Sequence, residues 1–122
     1  MEQKMQYQDV NLQDKLKQFS EHWRPRTVAQ FNGHDIMVAK IQGEFECHSH
    51  ADTDDFFLVL SGEITIRLPE GDIILKTGEL FVIPKGVEHQ PICSEEAHIL
   101  LIEKSGTPNT GDIETAAPRQ FI

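Results

Sequence analysis

An all-β fold, a sandwich, jelly roll or barrel, is what this sequence predicts, and three observations carry it. From Thr27 onward the chain is a series of short apolar runs punctuated by turn residues. The runs follow one another at the close spacing of antiparallel strands. No helical period is interleaved with them, which argues against a parallel α/β sheet. At 122 residues the chain is most simply one domain. Such a length buries enough surface for one core without disulfide staples.

Before the strands comes the one persuasive helix, expected over about 11–23. Val10 and Asn11 read as a staple and an N-cap, and Asp14 falls in the first turn. Leu12, Leu16, Phe19 and Trp23 recur as one apolar stripe and Pro25 ends the segment. The stripe reads as a helix lying against a sheet or a partner subunit rather than as a cofactor contact through Trp23. The expected strands are 27–31, 36–41, 45–50, 56–60, 63–68, 72–75, 80–83, 90–93 and 98–102. Between them stand Asn32-Gly33, Ser61-Gly62, Pro69-Glu70-Gly71-Asp72, Thr77-Gly78 and Pro84-Lys85-Gly86. The Asn-Gly pair supplies the positive φ angles of a two-residue hairpin. The barrel is therefore expected over about 27–103, and the turn-rich 104–122 as an extended tail.

Charge and composition narrow the function. Acidic residues outnumber basic ones 20 to 11, a formal net charge of -9. Nucleic acid and anionic membrane surfaces repel such a chain, so neither is expected as a partner. The polar start lacks the apolar core of a signal peptide, and no stretch approaches the roughly 20 apolar residues of a membrane span. Two cysteines, Cys47 and Cys93, suit reduced thiols, and the cytoplasm is the expected compartment.

The chemistry lies in two clusters. The first reads Gly43, four residues, His48-Ser49-His50, four residues, Asp55, six residues, Gly62. Side chains two apart on a strand share a face, so His48 and His50 can grip one ion. Asp55 opens the next strand after a short acidic turn and can return to the same interior. The second cluster reads Gly78, five residues, Pro84-Lys85-Gly86, two residues, His89. Three imidazoles and a carboxylate make a mixed nitrogen and oxygen site for one divalent transition metal. Iron, manganese, nickel, cobalt and zinc all suit these donors. Each histidine must be neutral to bind, so occupancy is expected to fall as the pH drops through about 6.

These two clusters resemble the paired motifs of the cupin superfamily. The likeness is to its small single-domain, conserved-barrel members, often described as similar to mannose-6-phosphate isomerase. The motifs cover about 43–93 and the strand texture extends the likeness to about 27–102. The resemblance implies a double-stranded β-helix, a jelly-roll barrel whose lumen holds one metal on three histidines and a glutamate. Position by position, the histidines fall on His48, His50 and His89, and the glutamate on Asp55. Asp55 is one methylene shorter than glutamate. Cys93 stands where the second motif usually has asparagine, and the gap from Gly43 to His48 is one residue short, which a bulge could absorb. The resemblance also implies a homodimer, joined through the helix at 11–23 or the apolar face of Phe56, Leu58 and Leu60.

Other residues receive quieter readings. His22 and His34 are expected in solvent, whereas His98 heads an apolar run and could line a pocket. Cys47 has the opposite parity to the two histidines and belongs outside the lumen; both cysteines read as inert packing. Phe57 and Val59 share Asp55's alternation and are expected as apolar walls. The acidic run at Asp52, Asp54 and Asp55 hints at calcium, but two strand histidines favour a softer metal. No residue presents itself as a general base. Two function classes therefore stay open: a metal-dependent isomerase or dioxygenase acting on a small molecule, and a non-catalytic metal or small-ligand binding or sensor module. A closed, purely structural metal is a third possibility.

Overall fold

The computed structural model describes residues 8–112, 117 and 119–122. The elements are α1 (Leu12–Leu16), β1 (Arg26–Phe31), β2 (His34–Glu44), β3 (Asp55–Ser61), β4 (Glu63–Leu68), β5 (Gly71–Lys76), β6 (Leu80–Ile83), β7 (Gln90–Lys104) and β8 (Gln120–Phe121). They form one rolled sheet in the order β5-β4-β7-β2-β1-β8, with β3 joining β7 to β6.

The 15-residue β7 organises the sheet. One edge pairs with β2 from His34↔Lys104 to Glu44↔Ile92. The other edge pairs first with β4 and then with β3. The two expected strands at 90–93 and 98–102 are therefore one. Ser94, Glu95 and Glu96 read as a break because they are polar; they stay extended within β7 with side chains exposed, at the register shift between its two paired stretches. Where β3 hands over to β4, Gly62 takes φ 96° and passes against β7. A Cβ there would lie 3.1 Å from the Ala97 Cβ, so the close approach requires glycine. Asn32 and Gly33, at φ 50° and 76°, close the β1–β2 hairpin as the Asn-Gly pair predicts. The β2–β7 register shifts between Ile41 and Gly43, a bulge just ahead of the shortened first motif.

Inward-facing residues of five strands fill the barrel: Met37, Ala39 and Ile41; Phe57 and Val59; Ile64 and Ile66; Leu75; Ala97, Ile99 and Leu101. Leu16 and Val38 are also buried, on the outside of the roll where α1 rests against β2.

The helix is shorter than expected, ending at Leu16 rather than Trp23. Its start is as predicted, with the Asn11 side chain accepting from the Asp14 N–H at 3.0 Å. Its end is set by β2. Lys40 donates its ammonium to the Phe19 carbonyl at 2.6 Å, and the Trp23 N–H donates to the Lys40 carbonyl at 2.9 Å. Trp23 adopts φ 64° in making that turn. A tertiary partner thus takes the backbone groups that a longer helix would have paired internally.

Two further expectations are corrected. Residues 45–50 form no strand, only the isolated bridge His48↔His89. Pro91 explains the interruption: Phe45 donates to the Pro91 carbonyl at 3.0 Å, but Pro91 has no N–H to return. The Gln90 side-chain amide donates to the Phe45 carbonyl at 2.8 Å in its place. The tail at 104–122 is not wholly irregular either, since β8 pairs in parallel with β1. Ile66, fully buried on β4 between β5 and β7, tests the core. Ile66→Ala should cost about 2–5 kcal/mol in denaturant unfolding, whereas Ile74→Ala, at a side chain 55% exposed, should stay within about 0.5 kcal/mol.

Candidate metal centre

His48, His50, Asp55 and His89 meet in the lumen, all buried, each offering a ligand atom within 4.8 Å of the others. Their convergence rests on backbone bonds between loops. His48 and His89 exchange N–H to carbonyl bonds of 3.0 and 2.9 Å, which sets their rings side by side with centroids 4.4 Å apart. The turn at Pro84-Lys85-Gly86 clamps the other loop. Gly86 donates to the His50 carbonyl at 2.8 Å and Lys85 to the Asp54 carboxylate at 2.9 Å. Asp54 thus serves the turn, while Asp55 at the start of β3 points inward.

Hydrogen bonds orient two of the rings. Nδ1 of His48 donates to the Glu46 carbonyl and Nδ1 of His89 to the Val87 carbonyl, both at 3.0 Å. This leaves each Nε2 lone pair facing the lumen, the tautomer a metal requires. His50 has no such partner on Nδ1, and its Nε2 and the Asp55 Oδ1 also lack hydrogen bonds. Buried polar atoms without partners are costly. Asp55 Oδ2 lies 3.1 Å from His89 Nε2 and 3.3 Å from His50 Nε2.

A fifth group, Glu103, was missed. It is 4% exposed and continues the inward parity of Ala97, Ile99 and Leu101 on β7. Its signal was alternation carried one residue past the apolar run at 98–102. The Glu103 and Asp55 carboxyls stand within hydrogen-bonding reach of each other. Burial, then the Asp55 charge, push Glu103 well above the ordinary carboxylate range. Burial also pushes Asp55 upward, but the His50 and His89 imidazoles and the Glu103 carboxyl set against it outweigh burial and hold Asp55 below its ordinary value. Two ionised carboxylates cannot donate to each other, so a proton or a cation must lie between them. The unpartnered His50 Nε2 and Asp55 Oδ1, and the three-nitrogen, one-oxygen set, fit a divalent transition metal.

Above the cluster is a cavity of ≈ 40 Å³ lined by Trp23, Phe45, His48, Asp55, Phe57 and Glu103 among others. That exceeds the roughly 10–15 Å³ one water needs. Trp23 stacks on Phe45 at 4.9 Å, and Phe45 meets His48 edge-on at 5.3 Å. Trp23 therefore lines the mouth, a role its place in the apolar stripe did not indicate. Phe57 forms a wall as expected, whereas Val59 lies deeper in the core.

The remaining candidates fall outside the lumen. His98 has outward parity and shares the Glu96 carboxylate with His22, at 2.9 and 2.8 Å. Those imidazoles hold the exposed Glu96 well below its ordinary pKa. His22 is thus paired rather than merely solvated, and His34 bonds the Asn32 carbonyl at the hairpin tip. Cys47 is exposed and outside the lumen; Cys93 is buried, and burial raises its thiol pKa.

A sequence model of the cupin domain matches residues 35–103, and the chain belongs to the cupin family. A solved cupin-2 domain protein from Shewanella frigidimarina is 44% identical, with a TM-score of 0.79 over 82% of this chain and 98% of that one. YdbB of Bacillus subtilis, an uncharacterised protein, is 34% identical over 65 residues, 52% of this chain and 58% of YdbB. A 3-hydroxyanthranilate 3,4-dioxygenase of Ruegeria pomeroyi is 29% identical over 80 residues, 61% of this chain and 44% of that enzyme. The chain thus spans about half the length of these two relatives. Among the described residues no helix is long and apolar enough to cross a membrane.

Burial moves the pH window expected for the free histidine. His48 is pushed down to about 4, chiefly by desolvation against the opposing Glu46 carbonyl, with His89 and His50 adding to the shift. The unfolded chain therefore takes up this proton near 6.5 and the folded chain only near 4. Stability from this group is complete above the upper value and is lost as the pH falls through that interval. Unfolding of metal-free protein should show a denaturation midpoint falling between about pH 6.5 and 4, with a shallower decline in His48→Gln. Equal slopes would remove burial of His48 as the cause.

Proposed function

We propose that this cupin holds one divalent transition metal on His48, His50, Asp55 and His89 and uses it on a small molecule, with dioxygenation as the favoured chemistry. The observation that carries the reading is the convergence of four buried donor atoms within 4.8 Å beside a cavity. Bound there, a metal of this class supplies Lewis acidity and, as iron, the activation of dioxygen. The 29% identical dioxygenase supports oxygen chemistry over isomerisation.

The chain's own residues do the rest. His48 and His89 present fixed lone pairs, and Asp55 brings the anionic charge that neutralises part of the cation. Trp23, Phe45 and Phe57 make the approach apolar, which excludes bulk water and strengthens every charge interaction within. Glu103 stands beside the donor set at the cavity wall, placed to hold or pass a proton at its carboxyl oxygens. It is the acid–base candidate that the sequence did not offer, protonated at neutral pH by its raised pKa.

The same reading covers the assembly and the compartment. Phe56 and Leu58 on β3 continue into the exposed Leu80 and Val82 of β6. This outer apolar face is the proposed contact of a homodimer. Two unpaired thiols suit the cytoplasm.

Elemental analysis of purified protein should find about one transition metal per chain, reduced to background in His48→Ala, His50→Ala and His89→Ala. Full metal content in all three variants would overturn the ligand assignment. Oxygen consumption on a panel of small aromatic and aliphatic diols, present with metal-loaded protein and absent without it, tests the chemistry. Sedimentation at micromolar protein should show a dimer that Leu58→Glu dissociates; a wild-type monomer would refute that face as the contact.

A further inference from the structure

Glu103 is held from outside the barrel. Its Oε1 lies 3.8 Å from Nη2 of Arg119, just ahead of β8, and its Oε2 lies 3.8 Å from Nε2 of His50. Arg119 is itself firmly placed. Its Nη1 pairs with Asp35 Oδ2 at 2.6 Å, and its Nη2 donates to the Thr107 carbonyl. Asp35 is the register partner of Glu103 across β2 and β7, and it accepts from Gln30 at 2.9 Å and Ser105 at 2.8 Å. The Glu103 carboxyl thus spans the gap between a C-terminal guanidinium and the candidate metal centre.

The two donors beside Glu103 are the two with least support of their own. His48 and His89 are oriented by backbone carbonyls two residues back, whereas His50 Nδ1 has no hydrogen-bond partner. Asp55 is shorter than the glutamate of the motif and has one oxygen without a donor. A second contact ties the same end of the chain to this loop. Gly111, at φ 82°, runs against Ser49 between the two histidines, where a Cβ would fall 2.0 Å from the Ser49 carbonyl oxygen.

We propose that the C-terminal segment is part of the metal centre: Arg119 fixes Glu103, and Glu103 acts as a positioning residue for Asp55. The inference rests on the metal reading above. Groups that orient ligands in this way typically contribute about 10–100-fold to metal affinity. Arg119 lies outside residues 35–103 that the cupin domain model matches, so this support is supplied by the chain's own tail.

Chelator competition on the full chain, with cobalt(II) as the probe, measures the affinity directly. The visible absorption of bound cobalt reports the geometry of its ligands. Glu103→Ala should weaken binding about 10–100-fold and alter the spectrum. Glu103→Gln, whose amide N–H still reaches Asp55, should retain affinity within about threefold, the rescue expected of a positioning contact. Arg119→Met should weaken binding about tenfold in the wild-type background and add nothing to Glu103→Ala. Equal losses from Arg119→Met in both backgrounds would show that it merely docks the tail, and would overturn the proposal. Wild-type affinity in Arg119→Met or in Glu103→Ala would overturn it too. If Glu103→Ala does not fold, the cycle is run on Glu103→Gln, where Arg119→Met should again lose about tenfold because the amide still needs an anchor; no loss there overturns the proposal. Absence of cobalt binding by the wild-type chain would instead remove the metal reading itself, and this inference with it.

Discussion

The two hydrogen bonds exchanged between the backbones of His48 and His89 are the constraint on which the rest of the site depends. Directly opposed residues of an antiparallel pair carry their side chains on the same face. One such pair therefore brings together imidazoles 41 positions apart in the chain. The neighbouring ladder is interrupted by Pro91, and side chains replace what the backbone cannot supply. Gln90 satisfies Phe45, while Gly86 and Lys85 hold the loop carrying His50 and Asp54. The three histidines sit on loops, yet each loop is tied to β7 or to the turn before it.

Three buried carboxyls crowd the same region. Asp35, Asp55 and Glu103 are all at most 4% exposed. Arg119 is the guanidinium that reaches two of them. Buried charges are tolerated where they are paired or bind metal, and Asp35 has its pair in Arg119. Asp55 and Glu103 lie on the lumen side, against imidazoles whose lone pairs face the same space. A proton held between the two carboxyls, or a cation bound among the same donors, relieves their mutual repulsion.

The residues that dress the site come from beyond the shared barrel. Trp23 reaches the mouth from the N-terminal segment and Arg119 reaches Glu103 from the C-terminal one, both outside the matched region of 35–103. The barrel supplies His48, His50, Asp55 and His89. The segments on either side give this chain its particular entrance and supporting contacts.

The all-β class, the Asn-Gly hairpin, the N-cap at Asn11 and the grouping of His48, His50, Asp55 and His89 were all legible in the residues. Each depends on short-range rules: turn chemistry, side-chain alternation and motif spacing. The length of α1, the union of two runs into β7, the loss of a strand at 45–50 and the roles of Trp23, Glu103 and Arg119 were not. Those depended on partners distant in sequence. Lys40 took the carbonyl of Phe19, β2 paired with β7 on both sides of a polar stretch, and Pro91 withheld one N–H. Sequence by itself determined which residues could bind and which way each strand turned them. Tertiary structure alone decided which distant groups share a buried space, because a charge in a low-dielectric interior answers to whatever lies within a few ångströms, however far away along the chain.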